Sequence, residues 1–160
     1  MAATLAFGPC PARGDDDPLL SRLAGEWIGN GLVKLGPKAA AERIYCRIVA
    51  TLVDGNSIEQ KGRCSIASNS RPLAGTIVAK GDHRYESVID APNIRAAVFT
   101  GTGSGDNLTL SGDFVDTKTR EQRKATVTMS LSDSGYRVTT DNSGEDGSSY
   151  VASDIIFKKK

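Results

Sequence analysis

The chain has little net charge, few aromatic side chains, a single histidine and no long apolar run. Lys and Arg number 20 against 19 Asp and Glu, a formal net charge of +1 over 160 residues. No global field draws such a chain to nucleic acid or to an anionic membrane. Its one basic run, Lys158-Lys159-Lys160, falls short of the clusters that signal such binding and reads as a solvated tail. Nothing approaches the roughly 18 consecutive apolar residues of a membrane-spanning helix. No second Cys or His pair completes a ligand set of zinc spacing, so neither a metal nor another cofactor is expected. His83 lies in the turn Gly81-Asp82-His83-Arg84, where an exposed histidine is the ordinary case. A Ser-His-Asp set would have to use it, and no Gly-x-Ser-x-Gly motif is present. No catalytic residue is therefore assigned, and the chain reads as a binding protein rather than an enzyme.

What is abundant is turn chemistry, with 17 glycines and many Ser and Thr around an aromatic content of 6%. The length suits one domain with a real core. Asp15-Asp16-Asp17-Pro18 resembles a helix start, and Leu19, Leu20 and Leu23 follow at helical spacing, enough to plug one end of a β structure. Strands are expected at Glu26–Leu35, Arg43–Val53, Ser57–Ile66, Leu73–Lys80, Arg84–Asp90, Ile94–Thr102, Asn107–Val115, Ala125–Leu131, Tyr136–Asp141 and Ser149–Lys158. Turn residues separate them at the spacing of an antiparallel meander, with no room for crossover helices. Leu108, Leu110 and Phe114, and likewise Val127, Met129 and Leu131, alternate with polar positions, so one face is buried and the other wet. Closing such a sheet on itself removes its edges. The expected fold is all-β: a single antiparallel up-and-down barrel of about eight to ten strands with a short N-terminal helix. Residues 1–14 are expected to be an export-signal remnant or a disordered leader, 15–24 the short helix or arm, and 25–160 the barrel.

The cysteines point to a compartment. Cys10 lies in the leader, where Ala2 to Pro9 resembles the end of an export segment and Ala12-Arg13-Gly14 a small-x-small cleavage site. Cys46 and Cys64 lie in two strands joined by Asp54-Gly55-Asn56, a triplet suited to positive φ. If that loop opposes Val53 to Ser57, the same register opposes Cys46 to Cys64. It also brings Ile44, Ile48, Leu52, Ile58 and Ile66 to one face, by the two-residue period. Directly opposed cysteines are close enough to bond, so a Cys46–Cys64 disulfide is expected, and with it a periplasmic or secreted location.

The Gly25-Glu26-Trp27 opening after a short helix, the meander and the basic end of the last strand resemble the calycin superfamily, which holds lipocalins, fatty-acid-binding proteins, avidins and bacterial relatives. That resemblance implies that Trp27 closes the barrel floor and that Lys158 packs over it. The stretch Leu23 to Trp27, the cysteine hairpin and the Ser/Thr-rich strands also resemble small exported alphaproteobacterial proteins of unknown function. The further tryptophans that wall the biotin pocket of avidins are missing. Bacterial metalloprotease inhibitors of similar build carry a projecting arm and one disulfide, and Asp15 to Leu20 would be the matching arm.

Function then rests on the barrel interior. Its expected lining is Ile48, Leu52, Ile58, Gln60, Leu110, Phe114, Met129 and Val138, with Gln60 a polar group needing partners on an apolar face. A small apolar ligand is the expected partner, and recognition of an envelope protein, as an inhibitor or assembly component, is the alternative. Gly101-Thr102-Gly103-Ser104-Gly105 lacks the helix and lysine of a phosphate cradle and reads as a flexible hairpin loop. Glu145 and Asp146 fall in a solvated turn.

Overall fold

The computed structural model describes residues 16–144 and 146–160. The leader at 1–14 with Cys10, Asp15 of the proposed arm, and Glu145 lie outside these. Asp17 starts the helix: its Oδ1 accepts from the Leu19 and Leu20 backbone N–H groups at 3.0 and 2.9 Å. Pro18 takes the first helical position, where it loses no hydrogen bond. The helix, α1 (Pro18–Leu23), buries Leu19, Leu20 and Leu23.

Ten strands follow among the described residues: β1 (Gly25–Val33), β2 (Glu42–Asp54), β3 (Ser57–Ile66), β4 (Asn69–Gly81), β5 (Arg84–Ala91), β6 (Ile94–Ser104), β7 (Asn107–Val115), β8 (Gln122–Ser132), β9 (Gly135–Gly144) and β10 (Ser149–Lys159). Each pairs antiparallel with the next, and β1 also pairs with β10, from Trp27 opposite Lys159 to Val33 opposite Ser153. The barrel is closed. No helix among the described residues is long and apolar enough to cross a membrane.

The helix covers one end. Trp27 Nε1 donates to the Leu23 carbonyl at 2.8 Å, and Gly25, at φ +137°, lets the chain turn from helix into strand where a side chain would be strained. Tyr136 meets Trp27 edge-on at 4.9 Å and stacks on Phe157 at 4.7 Å, which gives this end an aromatic floor. Rings fill notches left by glycines, as a Cβ on Gly29 would meet the Phe157 ring at 2.4 Å and one on Gly103 the Tyr85 ring at 2.6 Å. Large-into-small packing of this kind fills the interior of a small barrel.

The cysteine hairpin has the expected register from Ile44 opposite Ile66 to Leu52 opposite Ile58, with Cys46 disulfide-bonded to Cys64. Its loop differs. A bulge at Val53 opposes Asp54, not Val53, to Ser57. The turn avoids positive φ at Gly55 and Asn56; instead Asp54 Oδ1 accepts from the Asn56 N–H at 2.8 Å. Gly55 is needed because the chain entering α1 crosses it: its carbonyl accepts from the Asp17 N–H at 2.7 Å, and a Cβ there would meet Asp16 Oδ1 at 2.3 Å.

Three other expectations are corrected. Gly101 to Gly105 is not a flexible loop: β6 runs to Ser104, and only Gly105 and Asp106 turn the hairpin. The C-terminal lysines are not a frayed tail, since Lys158 and Lys159 pair within β10 and the Lys160 N–H donates to the Glu26 carbonyl at 3.0 Å. The segment Asp16 to Leu20 does not project, because Leu19 and Leu20 are buried against the barrel.

Candidate ligand-binding site

The end opposite α1 is the barrel mouth. Alternation carries the inward row of β8 from Leu131, Met129 and Val127 through Ala125 to Arg123. Arg123 lies opposite Phe114 of β7, Ala125 opposite Asn142 of β9, and Asn142 opposite Tyr150 of β10. A bulge at Ala152 shifts the inward row of β10 from odd positions, Phe157 and Ile155, to even ones, and so turns Tyr150 toward the interior.

These residues form a polar cluster above an apolar interior. The Arg123 side chain is 10% exposed. Its Nη1 donates to the Tyr150 hydroxyl at 2.7 Å and its Nη2 to Glu121 Oε2 at 2.6 Å. Burial disfavours its charge, but the Glu121 hydrogen bond and the negative character of Tyr150, Glu121 and Asp116 outweigh that and hold its pKa above the usual value. Asn142 Nδ2 approaches the same hydroxyl at 3.5 Å. Two buried atoms here have no partner, Arg123 Nε and Asn142 Oδ1. An unpaired buried donor or acceptor costs about 1–3 kcal/mol, so the cluster has unused capacity for one acceptor and one donor.

The strand ladder near the cluster is interrupted. β6 and β7 pair only from Thr100–Ser111 to Ser104–Asn107, although both continue toward the mouth. Ala96 bulges at φ +47°, its N–H donating to Asp90 Oδ1 at 2.9 Å. The Thr117 N–H donates to the Asn93 carbonyl at 3.0 Å and bridges the two sides above. Outside the interrupted ladder lies a surface groove of about 660 Å3 whose lining includes Arg95, Val98, Phe114 and Arg120.

The expected lining residues separate into two groups. Ile48, Ile58, Leu110 and Met129 belong to the buried core, with Leu52 and Val138 packed against it. Phe114 is part of that core too, at its edge opposite Arg123. Gln60 is half-buried between Ala50 and Gly75, and Gly75 holds no ring: the atoms nearest a Cβ there are Val88 O at 3.1 Å, Ile89 Cγ1 at 3.9 Å and Ile89 Cα at 4.0 Å. Lys159, not Lys158, stands over Trp27, with Nζ 5.4 Å from the ring centroid. Position 158 faces out because Ile155, Phe157 and Lys159 share the inward row. His83, at φ +58°, is exposed at a turn on the helix-covered end.

The chain is similar in fold to Rv2717c from M. tuberculosis, at a TM-score of 0.68 and 14% identity over 91% of this chain and 99% of the other. The shared fold is a closed antiparallel barrel with a short helix at one end. A second likeness is to the S-type phycobiliprotein lyase CPES from Guillardia theta, at a TM-score of 0.60 and 11% identity over 92% and 94% of the two chains. No family model matches the sequence, and no curated protein does. The likeness is to the barrel, and no matched sequence supports the alphaproteobacterial resemblance.

Proposed function

We propose that this is an exported, non-catalytic carrier of a small amphipathic molecule. The ligand's apolar body rests against the upper barrel interior beside Phe114 and Ala125. Its polar head meets Arg123, Tyr150 and Asn142. The observation that carries this reading is the pair of buried, unpartnered atoms at Arg123 and Asn142, which a ligand group of opposite hydrogen-bonding character would satisfy. Glu121, 61% exposed, is the exchangeable partner of the guanidinium and gives way to an anionic head. The Cys46–Cys64 bond supports an oxidising, periplasmic or secreted setting.

Dansyl-undecanoic acid, an apolar chain with a carboxylate, serves as probe. Wild-type protein should bind it with a blue-shifted emission. Arg123→Leu should weaken binding about 10- to 100-fold, the loss of a charged hydrogen bond of about 1.5–3 kcal/mol. Equal binding by Arg123→Leu removes the site, and no binding by wild type, together with a bare mass in native mass spectrometry, removes the carrier reading.

A further inference from the structure

The outer wall of β1–β3 has a feature that ligand binding in the mouth does not use. Because side chains alternate, two outward rows cross these strands with an inward row between them. One outward row is Lys158, Ile28, Arg47 and Arg63, set side by side by successive pairings. The other is Glu26, Val49 and Lys61, extended by Lys160, which pairs with Glu26 at 3.0 Å. The row between, Trp27, Ile48 and Gly62, points into the barrel. It leaves a trench of about 250 Å3 with Ile28 and Val49 as its outward apolar side chains, Arg47 and Arg63 along one rim, and Lys61, Lys160 and Glu26 along the other.

Arg47 and Arg63 face each other directly, and like charges in opposed positions repel. They are drawn apart. Arg47 Nε donates to the Tyr45 hydroxyl at 2.8 Å, while Arg63 donates from Nε to Ser70 Oγ at 3.2 Å and from Nη2 to the Ser70 carbonyl at 3.1 Å. The trench between them stays open, and each guanidinium keeps further donors. The acids nearby are engaged, Glu26 by Lys160 and Glu59 by Lys61 at 3.0 Å. Five cations, Lys158, Arg47, Arg63, Lys61 and Lys160, surround the apolar floor against the two acids Glu26 and Glu59, and this excess of positive charge complements an occupant that is both acidic and partly apolar.

We infer that the trench docks an acidic segment of a partner protein. One aliphatic or aromatic side chain of that segment sits on Ile28 and Val49, and flanking carboxylates meet Arg47 and Arg63 on one rim. An anionic bilayer matches the charge, but the floor is recessed between two rows of side chains. A flat headgroup surface does not reach it, and a side chain does.

The probe is a blocked pentapeptide of phenylalanine flanked on each side by paired glutamates, titrated into the protein and followed by amide NMR. The peptide should shift Ile28, Val49, Lys61 and Gly62, and a lysine version should not. The double variant Arg47→Glu/Arg63→Glu should lose at least about tenfold in affinity, with dansyl-undecanoic acid binding in the mouth unchanged, so a fault in the fold is separable from a fault in the docking. Val49→Asp should act likewise through the floor. The inference is overturned if the acidic peptide does not bind, if the double variant binds it as well as wild type, or if phosphatidylglycerol vesicles occupy these residues and the peptide does not.

Discussion

Asp17 ties the plug to the barrel with both carboxylate oxygens, and its removal should cost more than a helix cap alone. Oδ1 caps α1 through Leu19 and Leu20, while Oδ2 accepts from the Tyr85 hydroxyl at 2.8 Å. Tyr85 is only 5% exposed, so its hydroxyl has little water to fall back on. Losing the cap costs about 1 kcal/mol, and leaving a buried hydroxyl without its charged acceptor adds about 1–2 kcal/mol. Asp17→Ala should therefore destabilise by about 2–3 kcal/mol, a fall in Tm of roughly 5–10 °C for a domain of this size. Tyr85→Phe removes only the second part, about 1 kcal/mol. In the double variant the Tyr85→Phe cost should vanish, because Asp17→Ala has already taken the acceptor, giving a coupling of about 1 kcal/mol. Urea unfolding followed by Trp27 fluorescence reads this directly, since the indole is bonded to the last residue of the helix. A loss under about 0.5 kcal/mol for Asp17→Ala, or strict additivity in the double variant, would refute the tether.

Two further outcomes follow from the same frame. Replacing Cys46 and Cys64 together by serine should lower stability by about 2–4 kcal/mol in urea unfolding without changing the hairpin register; an unchanged midpoint would mean that the bond adds nothing. Alkali should also destabilise the barrel. Burial, then the bond to Asp17, pushes the Tyr85 phenol up from 10.0 to about 12, and burial raises that of Tyr136 as well. The unfolded chain releases these protons near pH 10 while the folded one holds them. Stability is thus fully present below pH 10 and falls as pH rises through about 12. A urea midpoint flat between pH 9 and 12 would contradict this.

Much of the architecture was legible because the two-residue period survives along most strands. The hairpin register followed from one loop, and it held even though the loop itself was misread: the bulge at Val53 absorbs the difference before Leu52. The helix plug was readable because Asp17, Pro18 and three leucines are all local signals. The mouth cluster was missed for two physical reasons. The expected β8 began at Ala125, although carrying its alternation back two residues would have brought Arg123 inside. The bulge at Ala152 reverses the parity of β10, so no pattern in the sequence marks Tyr150 as inward. The same parity, read correctly from Phe157, selects Lys159 over Lys158. Interior filling was also hidden, because Gly29 and Gly103 become receptors for rings only once distant strands lie side by side.

The seam between β1 and β10 has a consequence for the order in which the barrel forms. Every other junction joins neighbours in sequence, the longest connection being residues 34–41 between β1 and β2, so each loop closes at small entropic cost. The seam instead unites residues as far apart as Glu26 and Lys160, 134 positions distant, and its pairing is the most non-local in the molecule. During synthesis β1 can zip onto β2 early, yet its other edge stays unpaired until the final strand is made. Strand β10 is therefore the clasp of the ring, and until it pairs the sheet is an open ribbon.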